Sequence, residues 1–414
     1  MKKIHYAWVI MIACAITQIG VFGTMVYPIG LFYGMISTDL GIGIGSVAVS
    51  QTILAFAIAL FSPLAGKVLA EKKINMVMSL AGIGMTVSFA ILPLLRSIYL
   101  WYALYVFIGF CASFITFLHT PLLINNWFHK SSGLALGIAT GSGAVGGAFF
   151  TSFVGPKLID SFGWESAFVG LAIIGAILVV LPSFFLIRFK PADKGLVPYG
   201  YEQKDGEDDA SPSKVTLDTG LTYDEAKKTP SYLFMVIALI GLATTAVYST
   251  HLVQVAERYG HAASLGPKLA SLAMLGTLIT RLVVGGIKDK IGPFKSLVGC
   301  VLLVIVNMFA LAFLYKHQGA LQVEAFISGL GATTGGFTSA WMTRMLFGSK
   351  DYGRIIGRAT MFYNIPLGLY TSAVGYIADG TGSYQLAFII TGIAAIVSLL
   401  CIITSYKKRP EFTS

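Results

Sequence analysis

LASLAMLGTLITRLVVGGIKDKIGPFKSLVGCVLLVIVNMFALAFLY, residues 269–315, is the stretch whose reading decides the fold. On each side of its centre runs an apolar segment of about the ~20 residues that a helix needs to cross a bilayer. The centre, GGIKDKIGPFK, gathers the charge into a short turn. Backbone amides in lipid must be satisfied internally, which leaves helices or closed barrels. Barrel strands would be half as long and would alternate in polarity. The stretch therefore reads as two membrane helices joined by a basic hairpin, with one anomaly, Arg281, inside the first.

Working outward, the same pattern covers the chain. Stretches free of Asp, Glu, Lys and Arg run over 4–38, 40–66, 74–95, 97–129, 131–156 and 166–187, then over 229–256, 296–315, 325–343, 359–378 and 380–406. With 269–287, broken only by Arg281, these make twelve spans. Of 414 residues, 56% are hydrophobic and 12% charged, about half the charge of an average soluble domain. MKKIHYAWVIM resembles a signal peptide at its basic end, but the apolar run continues to Ser37 with no cleavage site, so it reads as the first helix.

The net charge of +10 invites nucleic acid, and its distribution excludes that partner. An even number of spans puts both termini on one side. That side holds 23 of the 29 Lys and Arg residues and the opposite side five. By the positive-inside rule the rich side is cytoplasmic. The expected location is therefore the cell inner membrane, multi-pass, with both termini cytoplasmic. Cys14, Cys111, Cys300 and Cys401 all fall within spans and read as packing residues rather than disulfides.

The two halves repeat at an offset of 220 residues. Gly133 and Gly137 match Gly353 and Gly357, Gly155 matches Gly375, Ala167-Phe168 matches Ala387-Phe388, and Gly66 matches Gly286. The expected division is a six-helix bundle over 1–189, a cytoplasmic linker over 190–229 and a second bundle over 230–414 with a short cytoplasmic tail. The linker carries the acidic run Glu207–Asp209. In the hairpin, Gly286, Asp289, Lys290, Gly292 and Lys295 resemble the signature turn of the major facilitator transporters, built from glycine, acid, base and a second glycine. The first-half copy, with Lys67 and Glu71, lacks the second glycine. The resemblance implies an all-α membrane fold of twelve helices in two six-helix pseudo-repeats, with a substrate site between the halves.

Further motifs narrow the resemblance. NWFHKSSGLALGIATGSGAVGGAFF (126–150) has a Trp-Phe pair, a basic residue and a glycine-rich helix. HYAWVIM, GWESAF, KPADKGLVP, DEAKKTPSYLF and DGTGSYQLAF follow one another in the expected order. Together they resemble the bacterial monocarboxylate transporter and oxalate/formate antiporter group. The glycines from Gly133 to Gly147 recur at helical spacing and read as helix packing; no Lys-Ser/Thr follows them to make a phosphate loop.

Arg281 carries the chemistry in this reading. A charged side chain within a span costs at least ~2.5 kcal/mol and marks a functional cavity. No acid lies in the middle of any span to pair with it; Glu257, Glu324 and Asp379 lie near helix ends. A guanidinium fork suits a carboxylate. The resemblance points to the same residue, because that group binds its substrate carboxylate with an arginine of the eighth helix. The proton-coupling aspartate that animal relatives carry one turn earlier is Thr277 here, and the eleventh-helix lysine of oxalate carriers is absent. A snorkelling Arg281 is the alternative.

His119 matches a position where relatives carry a substrate-contacting tyrosine; it can hold the carboxylate, carry a proton or simply pack. His251 is a weaker candidate. Gln18, Tyr27, Tyr248, Tyr363, Asn364 and Tyr370 are polar groups expected along the cavity, with Pro366 expected to break the eleventh helix. The expected function is secondary transport of a small monocarboxylate by alternating access, or oxalate/formate-type exchange, by a monomer. Its partners are a small carboxylate, protons or a counter-anion, and the bilayer. No cofactor and no metal is expected, and no enzymatic motif appears.

Overall fold

The computed structural model describes residues 5–201, 219–261, 265–314 and 316–411; the acidic run Glu207–Asp209 lies outside them. The chain divides into two compact units, Met1–Thr216 and Leu217–Ser414. Among the described residues the structure is helical, with only two isolated β-bridges.

In the first unit, α1 spans Tyr6–Leu40, α2 Ile44–Glu71, α3 Ile74–Leu94 and α4 Ile98–Trp127. The next two passes form one helical run, Ser132–Leu186. At about 1.5 Å per residue it is long enough to cross a bilayer twice. It turns at Gly163, whose φ of 76° and ψ of 166° are not helical, giving α5 (132–162) and α6 (164–186). In the second unit, α7 is Pro230–Thr245 continued by Tyr248–Arg258, α8 is Leu265–Ile291, α9 Pro293–Leu314, α10 Gln318–Phe347, α11 Tyr352–Thr381 and α12 Gln385–Lys407. Eight helical segments, counting 132–186 as one, are long and apolar enough to cross a membrane; α7, α10 and α11 are not among them. The Pro230–Thr245 segment of α7 is apolar but short, whereas α10 and α11 are long and carry more polar residues.

The bundles face lipid with continuous apolar stripes. On α3, Met76, Leu80, Ile83, Val87 and Ile91 recur every three or four residues and are all exposed, which is one face of a helix. The 220-residue repeat reaches into burial as well. Ile173 and Ile177 of α6 are exposed, as are Ile393 and Val397 of α12, while Ala167, Phe168, Ala387 and Phe388 are buried.

Local sequence explains the helix ends. Thr229 caps α7 by accepting from the Tyr232 amide at 3.2 Å, with Pro230 in the first turn. Each end of the linker is fastened to its own unit. Phe128 bridges to Tyr199, and Gly348, 220 residues on, bridges to Gly220. The Tyr199 carbonyl accepts from His129 at 2.9 Å, and that of Thr219 accepts from Ser349 at 2.8 Å. At the other end of the bundles, Arg96 pairs with Asp39 and Glu165, and Arg258 with Asp379.

α11 differs from its expectation. Pro366 sits within the uninterrupted helix Tyr352–Thr381. A break falls instead in α4, where regular geometry stops at Ile115 and resumes at His119.

Candidate functional site

In the first unit the site begins with that break. Pro121 has no amide to bond the Phe117 carbonyl and its ring crowds that carbonyl, so the helix opens one turn earlier, with Thr116 at φ −103° and ψ −82°. Gln18 of α1 fills the gap. Its amide donates to the Thr116 carbonyl and to Thr120 Oγ1, both at 2.9 Å. Thr120 Oγ1 also lies 3.0 Å from His119 Nε2. Gln18 is 3% exposed and His119 0%; His119 Nδ1 has no partner among the described residues. The structure therefore gathers Gln18 and His119 into one buried polar knot between α1 and α4. Tyr27 stands apart, its ring laid where a Cβ on Gly147 of α5 would fall. The glycine run of α5 thus packs against α1.

In the second unit, α8 and α10 touch backbone to backbone. A Cβ at Gly276 would strike the Phe326 carbonyl, and one at Gly329 would strike the Thr277 amide. One turn on, Thr280 and Thr333 hydroxyls meet at 2.9 Å. This spine places Arg281, which is half-buried. The Tyr363 phenol of α11 lies within reach of its charge and rests on Gly335 of α10, where a side chain would overlap the ring. Arg281 and Tyr363 are thus one pair of expected residues that this unit brings within electrostatic reach of each other.

The others are engaged elsewhere. Thr277 Oγ1 donates to the Ala273 carbonyl at 2.8 Å, and Asn364 Nδ2 to the Thr360 carbonyl at 2.9 Å. Tyr248 and Tyr370 both reach α12, where they share the Ala387 carbonyl and the Thr391 hydroxyl. His251 Nε2 lies 3.1 Å from the Thr371 carbonyl.

At the hairpin, Gly292 takes φ 86°, a left-handed conformation that favours glycine. Its amide donates to the Lys288 carbonyl at 2.9 Å, and Ser296 Oγ returns to the Gly292 carbonyl at 2.8 Å. Asp289 pairs with Lys288 at 3.4 Å, Gly286 is part-buried, and Lys290 and Lys295 are exposed. In the first unit Lys67 and Glu71 are also exposed, and Lys72, at the position matching Gly292, has φ −109°. The two turns are built differently.

Sequence reading missed Thr120, Thr280, Thr333 and Gly335. The Thr-Pro pair of LHTP was the available signal for the first; the others declare themselves only when two helices are brought together.

Two bundles of apolar helices with a half-buried cation inside a span and internal polar knots define a membrane transporter rather than a soluble protein. The profile of the Major Facilitator Superfamily matches residues 10–344 and 269–414, and the chain belongs to that superfamily, a family of multi-pass secondary transporters. It is 25% identical to the uncharacterized MFS-type transporter YhjX of Escherichia coli over 84% of this chain and 83% of YhjX. It is 24% identical to the multidrug resistance protein MdtG of Dickeya zeae over 88% and 84%. A match to the MFS-type transporter pynF of Aspergillus niger, 26% identical, spans 55% of the chain and about half (48%) of pynF. In fold it is similar to the Escherichia coli fucose:proton symporter FucP (TM-score 0.71, 13% identity, 97% and 99% covered) and to the proton:xylose symporter XylE (0.73, 11%, 97% and 96%).

Proposed function

We propose that this transporter carries a small monocarboxylate of the lactate or pyruvate kind across the inner membrane by alternating access, with both termini cytoplasmic. The observation that carries the reading is Arg281, a half-buried guanidinium within a membrane helix whose charge reaches the Tyr363 phenol of α11. A planar cation and a hydroxyl form a pair suited to the two oxygens of one carboxylate. One cation at the site favours a monoanion over a dianion. The motif order from Asn126 to the DGTGSYQLAF segment supports the same group. Exchange of oxalate- or formate-like anions is the second reading, favoured by the absence of an aspartate at Thr277.

The test is uptake into proteoliposomes of labelled mono- and dicarboxylates, with a lipophilic cation, fucose and xylose as comparators. The expected result is monocarboxylate uptake by the parent and its loss in Arg281→Lys. Uptake of the comparators alone, or an unimpaired Arg281→Lys, overturns the reading.

A further inference from the structure

In the sequence Glu324 stands just before the tenth uncharged stretch, which puts it near a helix end. The structure starts α10 at Gln318, so Glu324 is six residues, about 9 Å, inside the helix. It is 7% exposed, and its Oε2 has no hydrogen-bond partner among the described residues.

Its placement is not incidental. At 3.6 residues per turn, positions 324, 328, 331 and 335 share one face of α10. Ser328 on that face is buried, a Cβ at Gly331 would meet the Thr245 carbonyl of α7, and Gly335 lies under the Tyr363 ring. Glu324 therefore stands on the face that seats Tyr363, three turns or about 16 Å away along the helix.

On the helices packed on α10, Lys288, Asp289 and Lys290 of α8 and Arg354 and Arg358 of α11 lie at the end opposite Glu324, and the described groups nearer to it are engaged or exposed. On α7, His251 bonds the Thr371 carbonyl and Arg258 pairs with Asp379 of α11; the Glu257 side chain lies outside the description. The Tyr248 and Tyr370 hydroxyls are bound to α12. On α8, Lys268 is exposed and Arg281 belongs to the site. α9 carries Lys295 at its opposite end and the buried Cys300, and Lys316 and His317 before α10 are exposed.

An unpaired ionised carboxylate is costly to bury, and one proton removes that cost. We propose that Glu324 is the proton-carrying group of the transport cycle. Its Oε2 takes a proton when this face of α10 is open to water on one side of the membrane and gives it up when the face opens to the other. The inference rests on the transport reading above and assigns its coupling ion.

Uptake of a labelled monocarboxylate is measured in proteoliposomes under an inward gradient of one pH unit. One-for-one proton symport drives accumulation of about tenfold for such a gradient. Glu324→Gln is expected to lose gradient-driven accumulation while keeping exchange of internal for external acid, and Glu324→Asp to keep both. Glu324→Gln accumulating as the parent does overturns the proposal. If the parent carries no carboxylate, the substrate reading falls, and Glu324 is tested on its own by infrared difference spectra between low and high pH. A carboxylic-acid carbonyl band present in the parent and missing in Glu324→Gln supports the assignment; identical spectra overturn it.

Discussion

Gln18 of α1 donates its side-chain amide to the Thr116 carbonyl of α4, 2.9 Å away, at the point where α4 leaves helical geometry. The bond satisfies a carbonyl that the helix no longer serves, and it joins two helices far apart in sequence. A buried acceptor left unpaired costs about 1–3 kcal/mol. Gln18→Met is therefore expected to lower the thermal unfolding temperature of the purified protein. The loss should shrink when Pro121→Ala is also present, because the restored amide lets α4 close on itself. Equal losses in both backgrounds would show that Gln18 acts by packing alone.

Gly292 and Lys72 occupy matching positions of the repeat with opposite backbone signs, φ 86° and −109°. Gly292→Ala is expected to destabilise by about 1–2 kcal/mol, the usual cost of a left-handed residue with a Cβ. Lys72→Gly should give no gain, since nothing there needs the left-handed region. Chemical or thermal denaturation of both variants checks the asymmetry.

The approach of Gly329 to the Thr277 amide leaves no room for a side chain. Gly329→Val should cost at least about 1–3 kcal/mol by overpacking. It should also impair uptake, because Arg281 lies one turn beyond Thr277. A variant that is destabilised and yet transports at the parent rate would separate the α8–α10 spine from the site.

Ser231 and Ser405 exchange hydroxyl-to-carbonyl bonds of 2.9 and 2.7 Å between α7 and α12. Hydrogen bonds between membrane helices average about 0.6 kcal/mol and reach ~1.7. The double-mutant cycle of Ser231→Ala and Ser405→Ala should give a coupling energy in that range; a value of zero would mean that the pair is ornamental.

Tyr363→Phe removes the hydroxyl that lies within reach of the Arg281 charge and keeps the ring on Gly335. If the phenol holds substrate, one neutral hydrogen bond of about 0.5–1.5 kcal/mol is lost. Half-saturation for the carboxylate should then rise about two- to tenfold, with little change in maximal uptake rate. The same kinetics across a range of substrate concentrations reads both values.

The helices were legible because lipid makes charge costly, so uncharged runs mark spans almost without regard to side-chain detail. Arg281 was legible for the same reason, as the exception. The break in α4 was also written in the sequence, at Pro121, yet Pro366 in α11 looks alike and its helix runs on. What distinguishes them is a cross-helix donor: Gln18 waits opposite Thr116. Glu324 escaped because burial depends on where a helix starts, and α10 starts earlier than its uncharged stretch. The seats of Tyr27 and Tyr363, on Gly147 and Gly335, are properties of two helices at once, and periodicity within one cannot reveal them.

Tyr199 is tied to the loop after α4 and Gly220 to the loop after α10, so each six-helix unit keeps its own stub of the connecting chain. Severing the polypeptide between those two knots would unfasten neither. This makes the transporter a natural candidate for production as two separate gene products, each ending or beginning in a finished edge. It also means that reporter or affinity inserts belong between the knots rather than at them.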